Sequence, residues 1–280
     1  MGIFKPSELI QFLDSLGISA QKRLSQNFLI DGNIIAKIIS AASIRPNDLV
    51  IEIGPGPGAL TEALLAAGAK VIAIEKDRIL AKALERLQTN DKRLTVFEQD
   101  ILEFDLKAFL GSHLDPGIKA KVAANLPYHL TTPIITSLVP LHERLESLTL
   151  MVQKEVADRF TAETGTSEYS SITLFLKYHA HVETCFTIEP TCFFPKPKVR
   201  SAVVQFHLKA PEQKMPEAFF SMMRAAFQQR RKMLRGSLRK FFHPQQIETC
   251  LSSIGMNPLS RPEQLSLKNF ILLFQRLSQI

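Results

Sequence analysis

The 280-residue sequence predicts an α/β fold, a doubly wound and mostly parallel sheet, followed by a small all-α domain. Three observations carry that prediction. Short apolar runs alternate with helix-length segments through the first two thirds of the chain, the pattern of parallel strands joined by crossover helices. The first of these runs is followed by a glycine-rich turn, Gly54-Pro55-Gly56-Pro57-Gly58, which opens a helical stretch. Beyond Leu208 the alternation ends and only helical periodicity remains.

Leu49-Val50-Ile51-Glu52-Ile53 is the first strand, and Ala59 to Ala67 is the helix after the glycine turn. Lys70 to Glu75 is the second strand, and Asp77 is placed to cap a helix running to about Leu87. Leu94 to Glu98, Lys119 to Asn125 and Leu148 to Val152 are the third, fourth and fifth strands. Runs near Tyr178–Ile188 and Val199–Leu208 are expected as edge strands of the same sheet. Ala210 to Pro216 is a polar, proline-bearing connector. Glu217 to Phe241 is expected as one amphipathic helix, stopped by His243-Pro244. A second helix covers about Gln245–Ile254, and a third starts after Ser266, a good N-cap. The expected domains are therefore residues 1–209 and 210–280.

The net charge of +7 is unevenly placed. Up to Lys209 there are 23 Lys and Arg against 23 Asp and Glu; from Ala210 onward there are 11 against 4. A basic block of this kind points to a polyanion partner. Cys185, Cys192 and Cys250 show no C-x-x-C spacing, which argues against a zinc site or disulfide framework and for a reducing compartment. Neither a leader peptide nor a membrane-length apolar run is expected, so the chain reads as cytoplasmic; a monomer is taken by default, and no metal is expected.

The strand ends carry the chemistry. Glu75, 21 residues after Gly54, is placed to accept the hydroxyls of an adenosine ribose. Glycine turn and carboxylate alone equally describe a dinucleotide-binding dehydrogenase. Three details favour S-adenosylmethionine. Pro55 and Pro57 remove N–H groups that a pyrophosphate would need. Asp100, after the third strand, can accept from an adenine amine. The fourth strand runs into Asn125-Leu126-Pro127-Tyr128, which alone would read as a turn. At a strand end beside a donor site, the Asn125 amide oxygen and the Pro127 carbonyl become acceptors for a base amine, and the Tyr128 ring a stacking surface.

With these motifs the chain resembles the ribosomal RNA adenine N6,N6-dimethyltransferases over about Gln21–Gln275. The resemblance rests on Gln26-Asn27-Phe28-Leu29, Glu52 to Gly58, Glu75, Asp100-Ile101, Asn125 to Tyr128, Phe193 to Ser201 and Ala226 to Lys232. It is closest to the small-subunit (16S) branch, which acts on two adjacent adenosines in a hairpin near the RNA 3′ end. It implies a class I S-adenosylmethionine-dependent, Rossmann-like methyltransferase fold. It implies donor contacts from Asn27, Leu29, Gly54, Glu75, Asp100 and Asn125, with Asn125 and Tyr128 holding the adenine and Phe193 stacking on its other face. Two departures stand out: Ser25 where the family often has Gly, and Leu126 where many members have Pro. Neither removes a functional group.

The expected reaction is in-line transfer of a methyl group to adenine N6, with no general base and no role for the seven histidines. If residues 217–241 are one helix, Arg224, Gln228, Arg231, Arg235 and Arg239 form a stripe, with Lys232 at its edge, suited to RNA phosphates. Three alternatives stay open: an adenine methyltransferase for another RNA or for DNA, a dehydrogenase, and a non-catalytic ribosome-assembly factor.

Overall fold

A computed structural model describes residues 5–18, 27–88, 90–229 and 232–279 of the chain. Ser25, Gln26, Lys22, Arg23, Arg230 and Arg231 lie outside these residues. The chain divides into two compact units, each described by itself: one holds the described residues up to Ala157 plus Val182–Lys209, the other Asp158–His181 plus the described residues from Ala210 on.

In the first unit the elements are α1 (Pro6–Ser15), β1 (Phe28–Leu29), α2 (Gly32–Ala41), β2 (Leu49–Ile53), α3 (Ala59–Ala66), β3 (Lys70–Glu75), α4 (Arg78–Ala83), β4 (Leu94–Glu98), α5 (Leu106–His113), β5 (Ala120–Asn125), α6 (Thr131–Leu138) and β6 (Leu145–Gln153). After α7 (Lys154–Phe160) and α8 (Ser171–His179), the chain returns through β7 (Ala180–Ile188), β8 (Phe193–Phe194) and β9 (Ser201–Leu208). Seven strands form one sheet in the order β4-β3-β2-β5-β6-β9-β7. The pairings β2–β3, β3–β4, β2–β5 and β5–β6 are parallel, and β6–β9 is antiparallel. From β2 the chain winds outward through β3 and β4, then restarts at β5 on the other side. The order therefore reverses between the neighbours β2 and β5, which makes their carboxyl ends the switch point of the sheet.

The strands are continuous apolar runs because both faces are covered. Val50, Ile51, Val71, Ala73, Val122 and Ala123 are all buried. The expected strand over Val199–Leu208 is β9, but it lies inside the sheet between β6 and β7 and is not an edge. Residues Tyr178 and His179 belong to α8, so β7 starts at Ala180. Caps appear where the sequence places them. The Asp77 carboxylate accepts from the N–H groups of Ile79 and Leu80 to start α4.

The second unit is helical. Besides α8 it contains α9 (Glu217–Phe227), α10 (Leu234–Ser237), α11 (Pro244–Ser253) and α12 (Leu267–Leu277). Its core joins Tyr169, Leu174 and Tyr178 to Phe219, Met223, Leu234, Leu251 and Phe270. The Ser266 hydroxyl accepts from Asn269 N–H to cap α12. The single helix expected over 217–241 is not formed. Helix α9 ends at Phe227, and Leu234 N–H leaves the helical ladder to bond the Ser260 carbonyl at 2.9 Å. A tertiary contact has won over local periodicity. Met223, Leu234 and Leu238 are buried, and Phe241 is exposed. Among the described residues no helix is long and apolar enough to cross a membrane.

A candidate donor and adenine site at the switch point

The glycine turn is shaped by left-handed backbone at Gly54, Gly56 and Gly58. Gly58 is needed twice over. A Cβ there would lie 2.7 Å from Leu84 Cδ2 and 2.9 Å from Leu87 Cδ1, in a conformation side chains resist. The N–H groups of all three glycines are used internally. Gly54 donates to the Ile74 carbonyl (2.9 Å), Gly56 to Glu75 Oε2 (3.0 Å) and Gly58 to the Pro55 carbonyl (3.0 Å). Pro55 and Pro57 have none. The segment 54–58 therefore has no backbone donor left for a pyrophosphate, which removes the physical basis of a phosphate cradle.

Glu75 ends β3, buried, and its carboxylate is fixed by Gly56 N–H and by Asp77 N–H at 2.8 Å. A carboxylate oxygen can accept from a ligand hydroxyl as well as from a backbone N–H. Asp100 lies two residues beyond β4. Lys76 Nζ (2.8 Å) and Leu102 N–H (2.9 Å) hold its carboxylate, and these bonds, the lysine first, keep its pKa below the usual aspartate value. It stays an acceptor at any ordinary pH.

Asn125 is oriented by one hydrogen bond. Its Nδ2 gives one of two N–H donors to the Asn27 carbonyl at 3.0 Å, which fixes the amide's orientation and keeps Oδ1 as its acceptor end. Pro127 has a different hydrogen-bond role from the one expected. Its carbonyl already accepts from Leu130 N–H (3.0 Å) and Thr131 Oγ1 (3.3 Å), which uses both lone pairs to build the short turn Tyr128–Leu130. Tyr128 is half-buried, its hydroxyl bonded to Ser201 Oγ at 2.9 Å. Burial pushes that phenol's pKa up, so the ring is neutral.

These groups border one cavity of about 230 Å3, which Asn27, Gly54, Glu75, Asp100, Asn125, Pro127 and Tyr128 all line. A smaller cavity of about 50 Å3 adjoins it, sharing Phe28, Gly54, Gly56 and Asn125, and here Leu29 and Glu52 contribute. Phe193 lines neither; it is 3% exposed and packs in the core. The reason is the pairing of β1 with β8, in which Leu29 faces Phe193 and Phe28 faces Phe194. Alternation sends the first pair inward and leaves Phe28 at the cavity. The expected stacking position of Phe193 is thus a core position here, and the aromatic wall comes from Phe28. Sequence reading had Phe28 in view within Asn27-Phe28-Leu29 but no means of choosing its face. Lys76, beside Glu75, is a second lining residue it missed.

The expected RNA-binding residues fall in the second unit. Arg224 donates to Glu217 (2.6 Å) and Arg235 to Glu248 (2.6 Å). Lys232 and Arg239 are exposed. Because α9 ends at Phe227, the cations share no helical stripe. Arg231 is outside the described residues.

The ribosomal RNA adenine dimethylase family matches residues 17–279 of the chain. A ribosomal RNA small subunit methyltransferase A of Protochlamydia amoebophila is 52% identical over 278 residues, 99% of this chain and 98% of that protein. The protein of the same name from Chlamydia muridarum is 40% identical over 277 residues, 96% of each chain. Among solved structures, a dimethyladenosine transferase from Plasmodium falciparum superposes with a TM-score of 0.72 at 26% identity, over 90% of this chain and 98% of that one. The 23S rRNA methyltransferase ErmE gives 0.69 at 26% identity, over 90% of this chain and 100% of that one.

Proposed function

The chain belongs to the ribosomal RNA adenine dimethylase family, and we propose that it dimethylates N6 of two adjacent adenosines in a hairpin near the 3′ end of small-subunit RNA, with S-adenosylmethionine as donor. The observation that carries the chemistry is the fixed amide of Asn125, whose Oδ1 is left to accept at the rim of the cavity. The small-subunit target is supported by the relatives at 52% and 40% identity, against 26% for the large-subunit enzyme. A cytoplasmic monomer acting during subunit assembly fits this reading.

The residues present suit the donor. Phosphate donors are spent, while the carboxylates of Glu75 and Asp100 make the site acidic. When bound, S-adenosylmethionine supplies a methyl group made electrophilic by a positive sulfur. Everything else falls to the chain. Glu75 would accept ribose hydroxyls, and Asp100 the adenine amine of the donor. Asn27 and Gly54 would contact the donor across the same cavity, and Leu29 from the adjoining one. Asn125 Oδ1 would accept one N6–H of the target base and so draw the nitrogen lone pair out of the ring. The Pro127 carbonyl being engaged, the Leu126 carbonyl is the acceptor of the turn best suited to the second N6–H. Tyr128 and Phe28 would flank the base. Holding amine and methyl group in line is worth up to about 7–11 kcal/mol. The N6 proton would leave to water.

The test is methyl transfer from labelled S-adenosylmethionine to small-subunit RNA, naked and in partly assembled subunits. Mass mapping should find two adjacent N6,N6-dimethyladenosines near the 3′ end. Label in large-subunit RNA or DNA alone, or no label with donor bound, would overturn the assignment.

A further inference from the structure

Glu52 sits one residue from the end of β2, where the chain enters the glycine turn. It is 1% exposed, and its Oε2 has no hydrogen-bond partner among the described residues. Buried acids are normally paired, so an orphan oxygen of this kind asks for a reason. The surroundings do not supply one. Ala73 of β3 and Ala123 of β5 flank Glu52 in the sheet. Leu9 of α1, Ile38 of α2 and Met151 of β6 line the same small cavity, and none of these titrates. From α3 comes Thr61, whose hydroxyl and backbone N–H ease the ionisation of Glu52 without bonding Oε2. The charge that bears on Glu52 is the Glu75 carboxylate, of the same sign. Burial first, and Glu75 second, push the Glu52 pKa up to about 8. At neutral pH it therefore holds its proton.

The cavity beside Glu52 adjoins the larger one and shares four of its walls. A positive charge at the walls the two cavities share would lie near the Glu52 carboxyl, whose burial leaves the attraction little screened by solvent. S-adenosylmethionine carries two such charges, a sulfonium and an α-ammonium.

We propose that Glu52 is a proton-coupled counter-charge for the methyl donor: a neutral acid in the donor-free protein, it ionises as the cationic donor enters. This rests on reading the cavity as an S-adenosylmethionine site. The step balances simply. The carboxyl O–H bond breaks, the proton leaves to buffer, and the electron pair stays on the oxygen facing the donor. If the sulfonium is the partner, methyl transfer leaves the carboxylate beside a neutral thioether. Glu52 then takes a proton back, and product binds more weakly than substrate. If the ammonium is the partner, substrate and product are held alike.

The experiment is calorimetric titration of the full chain with S-adenosylmethionine and with S-adenosylhomocysteine, in two buffers of different ionisation enthalpy, at pH 6 and pH 7. Wild type should release about one proton per donor bound, and its affinity should rise about tenfold over that pH unit. Glu52→Gln should release none and show a flat affinity. Release with both ligands assigns the ammonium, and release with S-adenosylmethionine alone the sulfonium. Binding without release in wild type, or equal release in the variant, overturns the proposal. If Glu52→Gln does not fold, the wild-type proton count decides by itself. Failure of either ligand to bind would sink the donor-site reading, and this proposal with it.

Discussion

At Asn125, an amide is made into a one-sided acceptor. One of its two amide N–H groups donates to the Asn27 carbonyl, so rotating the amide to exchange nitrogen and oxygen costs a hydrogen bond. Asn125→Ala should therefore lose both methyl transfers by about 10²–10³-fold in kcat, the scale of one lost preorganised group. On the proposed donor site, where Glu75 and Asp100 hold the adenosine, donor affinity should fall far less. Single-turnover rates beside equilibrium donor binding separate the two, and near-normal turnover would remove the acceptor role. Glu52 gives a second prediction, in stability. Its native pKa of about 8 lies above the ordinary carboxylate value of 4.5. Between those two pH values the unfolded chain ionises and the native one does not, so wild type loses stability as pH rises. Glu52→Gln lacks that loss and should gain on wild type by several degrees in Tm from pH 5 to pH 8. A pH-independent difference would contradict it. The sequence displays Glu52 only as a letter before the glycine turn. Its missing partner depends on what six other elements bring to the same spot, and no local pattern encodes that.

Among the elements, strands β2, β3 and β4 were legible to the residue, because a sheet covered on both faces writes itself as unbroken apolar runs. So was the glycine turn, whose chemistry is local. The failures are tertiary. Helix α9 stops at Phe227 since Leu234 is recruited to Ser260, 26 residues further on, a contact no helical periodicity foretells. The pair β1–β8 is two residues long on each side, too short for alternation to show which ring faces the ligand. That pairing separates Phe28 from Phe193, and with it two outcomes. Phe193→Ala should cost about 3–5 kcal/mol of stability by emptying a core position. Its catalytic constants should change little at a temperature where it is folded. Phe28→Ala should be milder for folding and raise the KM for donor or RNA severalfold. Thermal melts and steady-state kinetics on both variants check this, and the reverse pattern would return the stacking role to Phe193.

For the whole molecule, the decisive quantity is where the charge lies. The unit made of 158–181 and 210–280 carries 13 Lys and Arg against 7 Asp and Glu, so nearly all of the net +7 belongs to it. Its cations are not equivalent. Arg224 and Arg235 are bonded to Glu217 and Glu248, and a phosphate would have to compete with a carboxylate already in place. Lys232 and Arg239 are exposed with no ion pair among the described residues. They are therefore the better candidates for phosphate contacts, although the sequence set Lys232 only at the edge of the stripe. Lys232→Glu and Arg239→Glu should each weaken RNA binding and lower the slope of log affinity against log salt by about one. Donor binding, whose proposed site includes none of these side chains, should not change. Arg235→Gln should affect RNA binding less, because it removes a cation that is already neutralised. Filter binding over a salt series resolves the slopes. Equal effects at Lys232, Arg239 and Arg235 would mean that the ion pair to Glu248 opens for RNA. Unchanged slopes at Lys232 and Arg239 would move the RNA surface elsewhere on the chain.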